Sequence, residues 1–196
     1  MYKAISIITL ALMTLSTCIG QTVSKENDPV VHPYLINTKR IKTLSGKDIS
    51  YYLNNKSIDE NSKLFYEGKF AISDDEKTFA ICDSITTDNP DTRPFYLYVF
   101  CRIIEISDGA IAEVMGEYCT AYMIKFPCDF INNLSSEEYD LPKKEWLGFV
   151  AFEQDSKTDF ENFTRLIDEK LQSGCTNSIN SWTEIKGEIN GFEQEP

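Results

Sequence analysis

Between Arg93 and Phe130 the chain reads RPFYLYVFCRIIEISDGAIAEVMGEYCTAYMIKFPCDF, its longest stretch of dense apolar and aromatic side chains after the N-terminal leader. A segment this apolar must be buried on nearly every side, so the rest of the chain has to pack around it. The question is whether it is buried as helix or as strand. FYLYVF is rich in residues that suit strands. From Phe95 to Ile106, however, the polar positions are Tyr98, Arg102 and Glu105, which share one helical face at i, i+4 and i+7. That one-sided stripe predicts a helix, with Thr92 or Asp91 as cap and Pro94 in the first turn, where a missing N–H costs little.

After Ser107 or Asp108 as the next cap, Glu113, Gly116, Glu117 and Thr120 are the polar or small positions. Ile111, Val114, Met115, Tyr118, Cys119, Tyr122, Met123 and Phe126 cover the rest. A helix apolar over most of its circumference is a central one. Gly116 costs about 1 kcal/mol against Ala in a helix interior, which points to close approach by another helix. The two helices together form the expected core.

The flanking segments predict further helices. Ser73 and Glu76 give a capping-box pattern ahead of Phe79, Cys82 and Ile85, ended by Asn89-Pro90. CDFINNL reads as a short helix after Pro127. LPKKEWLGFVAFEQ puts Trp146, Phe149, Val150 and Phe152 on one predicted face. In SKTDFENFTRLIDEKLQSG, Ser156 and Asp159 suit a capping box, and Phe160, Phe163, Ile167 and Leu171 form a buried stripe. Gly174 is placed for a left-handed cap. GKDISYYLNN reads as a short helix and KLFYEGKFAI as a weaker one, while SWTEIKGEINGFEQEP reads as a loosely docked tail. Successive helices with short connections predict an all-α single domain, an antiparallel helical array built as a bundle or a short α–α superhelix. The expected organisation is a signal peptide over 1–20, an irregular lead-in over 21–45 carrying Pro29 and Pro33, and the helical domain over 46–196.

The N-terminus reads as an export signal. MYK is followed by the apolar run AISIITLALMTL, of signal-peptide length and short of the about 20 residues a spanning helix needs. Small residues at Cys18 and Gly20 favour cleavage before Gln21. Alternatively, LSTC resembles a lipoprotein box with Cys18 as the lipidated residue, although Thr17 departs from the small residue usual there. The expected location is the periplasm or the medium, or else the outer membrane through a lipid on Cys18. Beyond that lipid, no membrane partner is expected. The folded part keeps Cys82, Cys101, Cys119, Cys128 and Cys175, an odd number that allows disulfides in an oxidising compartment but leaves at least one thiol free. Cys101 and Cys119 lie in apolar patterns that also suit plain packing.

Nineteen basic against 31 acidic residues give a net charge of −12, which argues against nucleic acid as a partner and suits a basic protein. His32, the one histidine, lies in the lead-in, outside the segments that could position a catalytic pair. No zinc spacing, P-loop, dinucleotide-binding glycine motif or G-x-S-x-G occurs. Asp83, Asp88 and Asp91 do not follow calcium-loop spacing, and Pro90 interrupts them. Glu113 and Glu117, with Asp108 nearby, are one turn apart and could serve as a carboxylate pair, but an acidic chain places such pairs on solvated faces by composition. Sequons at Asn55, Asn133 and Asn162 have meaning only in a eukaryotic secretory pathway. No cofactor is expected.

These features point to a protein that works by presenting a surface. Asp74, Asp75 and Glu76, and also Glu137 and Glu138, are acidic clusters the core does not require; with Tyr139, expected near the tip of the projecting contact loop NNLSSEEYDLPKKEW, they are the candidate protein-binding residues. In broad character (small, exported, acidic, helical, with cysteines) the chain resembles periplasmic immunity proteins of contact-dependent secretion systems, though no motif carries the likeness. The first expectation is an immunity or inhibitor protein that binds a toxin or hydrolase. The second is a structural or assembly component of the envelope, and the third an enzyme using carboxylates alone.

Overall fold

The structure, a computed structural model, describes residues 40–192. The predicted signal peptide, Cys18, His32, most of the lead-in and the last four residues lie outside the described residues. Nine α-helices among the described residues and one two-stranded hairpin build an all-α domain. It opens with β1 (Thr43–Leu44) and β2 (Lys47–Asp48), paired antiparallel with Thr43 opposite Asp48. Ser45 and Gly46 turn the chain with φ of 48° and 71°, the two positive values a tight two-residue hairpin needs. The 21–45 boundary therefore cuts through this hairpin. Leu44 is fully buried and its carbonyl accepts from Tyr52 Oη at 3.1 Å, so the packed body begins before residue 46.

Asp48, Asp59 and Asp75 cap α1 (Ile49–Leu53), α2 (Glu60–Tyr66) and α3 (Glu76–Asp83), each accepting a backbone N–H from two or three residues on. The α3 cap corrects the sequence reading. Asp75 takes the Thr78 N–H at 2.9 Å, and Ser73 instead donates its hydroxyl to Asp75 at 2.7 Å. Asp75 stands two residues closer to the helix, directly before its first turn, so its carboxylate reaches an orphan N–H that Ser73 does not. Gly68, with φ of 74°, closes α2 in a Schellman arrangement: its N–H donates to Phe65 O and that of Lys69 to Leu64 O.

Helix α4 (Arg93–Ile106) settles the helix-or-strand question. Every residue from Phe95 to Ile104 is buried, including Arg102 and Tyr98. The polar stripe therefore faces protein instead of solvent. Phe95 stacks on Tyr52 at 5.7 Å, and Phe100 meets Trp146 edge-on at 5.3 Å. Helix α5 (Gly109–Lys125) buries Met115, Cys119, Tyr122 and Met123 and leads through Pro127 into α6 (Pro127–Asn133).

Helix α7 (Lys143–Glu153) packs closely on α5. A Cβ on Gly116 would lie 2.7 Å from the backbone oxygen of Phe149, so this glycine sets the separation, as its place in the sequence implied. The face of α7 is corrected: Trp146, Leu147, Val150 and Ala151 are buried, Phe149 is half-buried, and Phe152 is 74% exposed. Trp146 meets Phe100 of α4, Tyr122 of α5 and Phe130 of α6, and only one stripe of an eleven-residue helix can face inward.

Helix α8 (Lys157–Gly174) begins at Ser156, whose Oγ accepts from the Asp159 N–H at 3.2 Å and donates to its carboxylate at 2.6 Å. Its buried stripe is Phe163, Ile167 and Leu171, with Phe160 at the edge. Gly174 stays helical and Cys175 caps the end at φ −151°, because Cys175 is bonded to Cys128 of α6. That disulfide fixes the exit of α8. Cys82, Cys101 and Cys119 are buried and free.

The expected loose tail is instead α9 (Ile179–Phe192), which docks through Trp182, Ile185 and Ile189. Trp182 Nε1 donates to Asp168 at 2.7 Å, and Lys186 pairs with the same carboxylate at 3.1 Å. Burying three such side chains contributes about 1.5–3 kcal/mol each, enough to hold a terminal helix. No helix among the described residues is long and apolar enough to cross a membrane.

Candidate functional site

The connection between α6 and α7 is where charge, burial and backbone strain meet. Arg102 on α4 is 1% exposed. One of its terminal nitrogens donates to the carbonyl oxygens of Tyr139, at 2.8 Å, and of Asp140. The other lies 3.5 Å from the Asp140 carboxylate, and Glu105 stands 3.4 Å from the guanidinium. The two N–H donors of the first nitrogen serve two successive carbonyls, while the rest of the planar guanidinium reaches towards the Asp140 carboxylate. One turn earlier, the Tyr98 ring lies 5.4 Å from the guanidinium carbon. Tyr98 Oη and Arg102 Nε are buried without a hydrogen-bond partner. Burial pushes the Tyr98 hydroxyl far above the usual phenol range, the nearby arginine opposing it in part.

The loop is pinned from its other side by the hairpin. The Ser45 N–H donates to Glu138 Oε1 at 2.6 Å, and Ser45 Oγ lies 3.0 Å from Tyr139 Oη. Ser45 and Asp140 are the two non-glycine residues with positive φ among the described residues, at 48° and 43°, and both belong to this assembly. Such backbone is sparsely populated and persists where surrounding bonds determine it. A cavity of about 180 Å³ opens between the loop, α4 and Arg40-Ile41, with Tyr98 and Arg102 among its lining and Glu137, Glu138 and Asp140 at its rim.

The two predicted acidic clusters have different supports. Glu137 is exposed and Glu138 is half-buried against Ser45. Tyr139 is 4% exposed and lies inside the loop instead of at its tip, because its ring fills the space beside the hairpin. Burial pushes its hydroxyl up to about 12. Asp140, which the sequence reading did not single out, carries the outward carboxylate, 62% exposed. Asp74 and Glu76 are exposed beside the cap Asp75, whose carboxyl is held below the usual range by the Thr78 N–H and then by Ser73. Asp75 thus has a structural task, and its two neighbours are ordinary surface charges.

The other candidates lie apart from this loop. Asp88 pairs with Lys125 at 2.9 Å and Asp91 with Lys47 at 2.8 Å, so these aspartates tie the loop before α4 to neighbouring elements. Glu113 and Glu117 are exposed on α5. No cluster of three or more metal-ligating side chains occurs among the described residues. The three free thiols are poor nucleophiles: burial pushes Cys82 and Cys101 up to about 12 and Cys119 well above its usual value. Chemically, the α6–α7 loop can accept cationic groups on a preset carboxylate surface. Compared with protein-family models, curated proteins and solved structures, the chain finds no match.

Proposed function

We propose that this is an exported acidic binding protein of the bacterial envelope, acting by surface binding and not by catalysis, with the α6–α7 loop as its contact surface. The observation that carries this reading is the clamp of Arg102 on the Tyr139 and Asp140 carbonyls. A loop ordered before it meets its partner avoids much of the ordering cost of association. Glu137 and Asp140 would then meet lysine or arginine side chains at preset positions, while the net charge of −12 speeds encounter with a basic surface.

In its sharpest form, the reading is an immunity or inhibitor protein that covers the basic cleft of a toxin or hydrolase reaching the periplasm. The N-terminal leader pattern supports export, and the Cys128–Cys175 bond is compatible with an oxidising compartment. A lipid on Cys18 would move the protein to the outer membrane. The test is affinity capture on the immobilised protein from envelope and secreted fractions, at low and moderate salt. One stoichiometric basic partner, released by salt and lost with Glu137→Lys/Asp140→Lys, is the expected result. A partner that binds this variant equally well would refute the assignment of the loop.

One observation favours the second reading, an assembly component of the envelope: Phe152 on α7 is 74% exposed. Concentration-dependent self-association in sedimentation, abolished by Phe152→Ser, would support it over the first.

A further inference from the structure

A second surface stands apart from the loop. On α7, Glu145, Gly148, Phe149 and Phe152 recur at i, i+3, i+4 and i+7, and with Ala112 and Glu113 of α5 they line an open groove of about 410 Å³. Phe152 is the most exposed of the large hydrophobic side chains described. The lining of the groove includes a glycine, Gly148, that this fold does not require. A Cβ on Gly148 would meet only Phe192 Cε1, at 3.8 Å, an ordinary contact, and its φ is not positive. Gly116, on the facing helix, is excluded from larger residues by a 2.7 Å approach. Glycine is among the least favourable residues in a helix interior, so Gly148 lowers the helix-forming tendency of α7 while leaving space that nothing described occupies.

The edges of the groove are acidic. Glu113 and Glu145 line it, and Glu117 and Glu153 follow on the same two helices. None of the four takes part in an ion pair among the described residues. Burial, then Glu117 and Asp155, raise the carboxyl of Glu153 above its usual value, as expected where carboxylates crowd without a cation. A second copy of this chain is a poor occupant, because a two-fold contact would set these four carboxylates against their own copies.

We propose that the α5–α7 groove is a docking site for a cationic amphipathic helix of a partner protein. Apolar side chains at i, i+3, i+4 and i+7 of that helix would lie over Gly148 between Phe149 and Phe152, and its lysines or arginines would meet Glu113 and Glu145. The inference goes beyond the loop reading and does not depend on it.

A fluorescent Leu/Lys helical peptide of about 18 residues, long enough to cross the groove, tests it by anisotropy against the purified protein. The control peptide has the same composition, scrambled so that its leucines share no face. Saturable binding of the first and at least about tenfold weaker binding of the second is expected. Gly148→Leu, which fills part of the groove, should weaken binding by at least about tenfold while circular dichroism stays unchanged. Glu113→Lys/Glu145→Lys, both at the rim, should do the same and keeps the test decisive if the leucine variant misfolds. Glu137→Lys/Asp140→Lys should leave peptide binding intact, which separates this site from the loop. Equal binding of both peptides, undiminished binding to the folded groove variants, or a self-associated protein that Phe152→Ser dissociates would each overturn the proposal.

Discussion

Replacing Arg102 with methionine removes a clamp while keeping most of the side chain's buried volume, so the cavity contribution is small. Two carbonyl oxygens, those of Tyr139 and Asp140, lose their guanidinium donor. Hydrogen bonds from a charged donor contribute about 1.5–3 kcal/mol each, and a buried acceptor left bare costs about 1–3 kcal/mol. Glu105, at 17% side-chain exposure, loses a positive charge 3.4 Å away. The Asp140 carboxylate is 62% exposed and contributes little through its ion pair. The expected loss is about 3–5 kcal/mol, the range for breaking a buried charged contact, out of a total stability of about 5–15 kcal/mol. With a urea slope of about 2 kcal/mol/M, the unfolding midpoint should fall by about 1.5–2.5 M. Arg102→Lys, which keeps the charge but not the fork, should fall between the two. Amide exchange in residues 135–141 should accelerate selectively in both variants under native conditions. A midpoint shift below about 0.5 M with loop exchange unchanged would refute the claim that this arginine orders the loop.

Four further outcomes follow from the structure. Gly116→Ala should destabilise by about 1–3 kcal/mol, because its methyl group meets the Phe149 carbonyl, whereas Gly148→Ala should be neutral or stabilising by up to about 1 kcal/mol; equal melting shifts would contradict the roles assigned to the two glycines. The Cys128–Cys175 bond spans a sequence separation of 47, so Cys128→Ala/Cys175→Ala should cost up to about 4 kcal/mol by loop entropy. Cys82, Cys101 and Cys119 should resist alkylation until the chain unfolds, as peptide mapping would read. Glu153 has a raised carboxyl value in the folded state, so the fold binds its proton more tightly than the unfolded chain does. Stability is therefore lost as pH rises from the usual carboxylate value through the raised one. Glu153→Gln should remove that slope and raise the melting temperature slightly at neutral pH, and an unchanged pH profile of melting would contradict this.

Periodicity identified α4, α5 and α8 because their burial demands are strong. A segment such as Phe95–Ile104 can satisfy its backbone only by itself when every side is covered by side chains. The cap at Ser156 and the close approach at Gly116 were legible for the same reason: each depends on one residue and its immediate backbone. Two further signals are local but weak. Ser45-Gly46 is a turn pair that places the hairpin inside the supposed lead-in. Trp182, Ile185 and Ile189 keep helical spacing in what looked like a tail.

Other features were beyond local reading. Tyr98, Arg102 and Glu105 form a polar stripe whether they face water or a pocket, and only the arrival of the α6–α7 loop makes Arg102 a clamp. Tyr139 sits in an acidic, polar segment, but the hairpin of residues 43–48, some ninety positions earlier, draws it inside. Phe152 turns away from the face expected of it because Trp146 packs against Phe100 of α4, Tyr122 of α5 and Phe130 of α6, and the stripe of α7 that carries Trp146 faces inward.

The sequence by itself determined that this chain makes a helical, acidic domain around a central apolar pair, since hydrophobic spacing, caps and breakers act over a few residues. The tertiary structure alone decided which cysteines pair, which carboxylates remain outside and where the arginine goes. Those outcomes depend on distances between residues far apart in the chain, which local spacing does not encode.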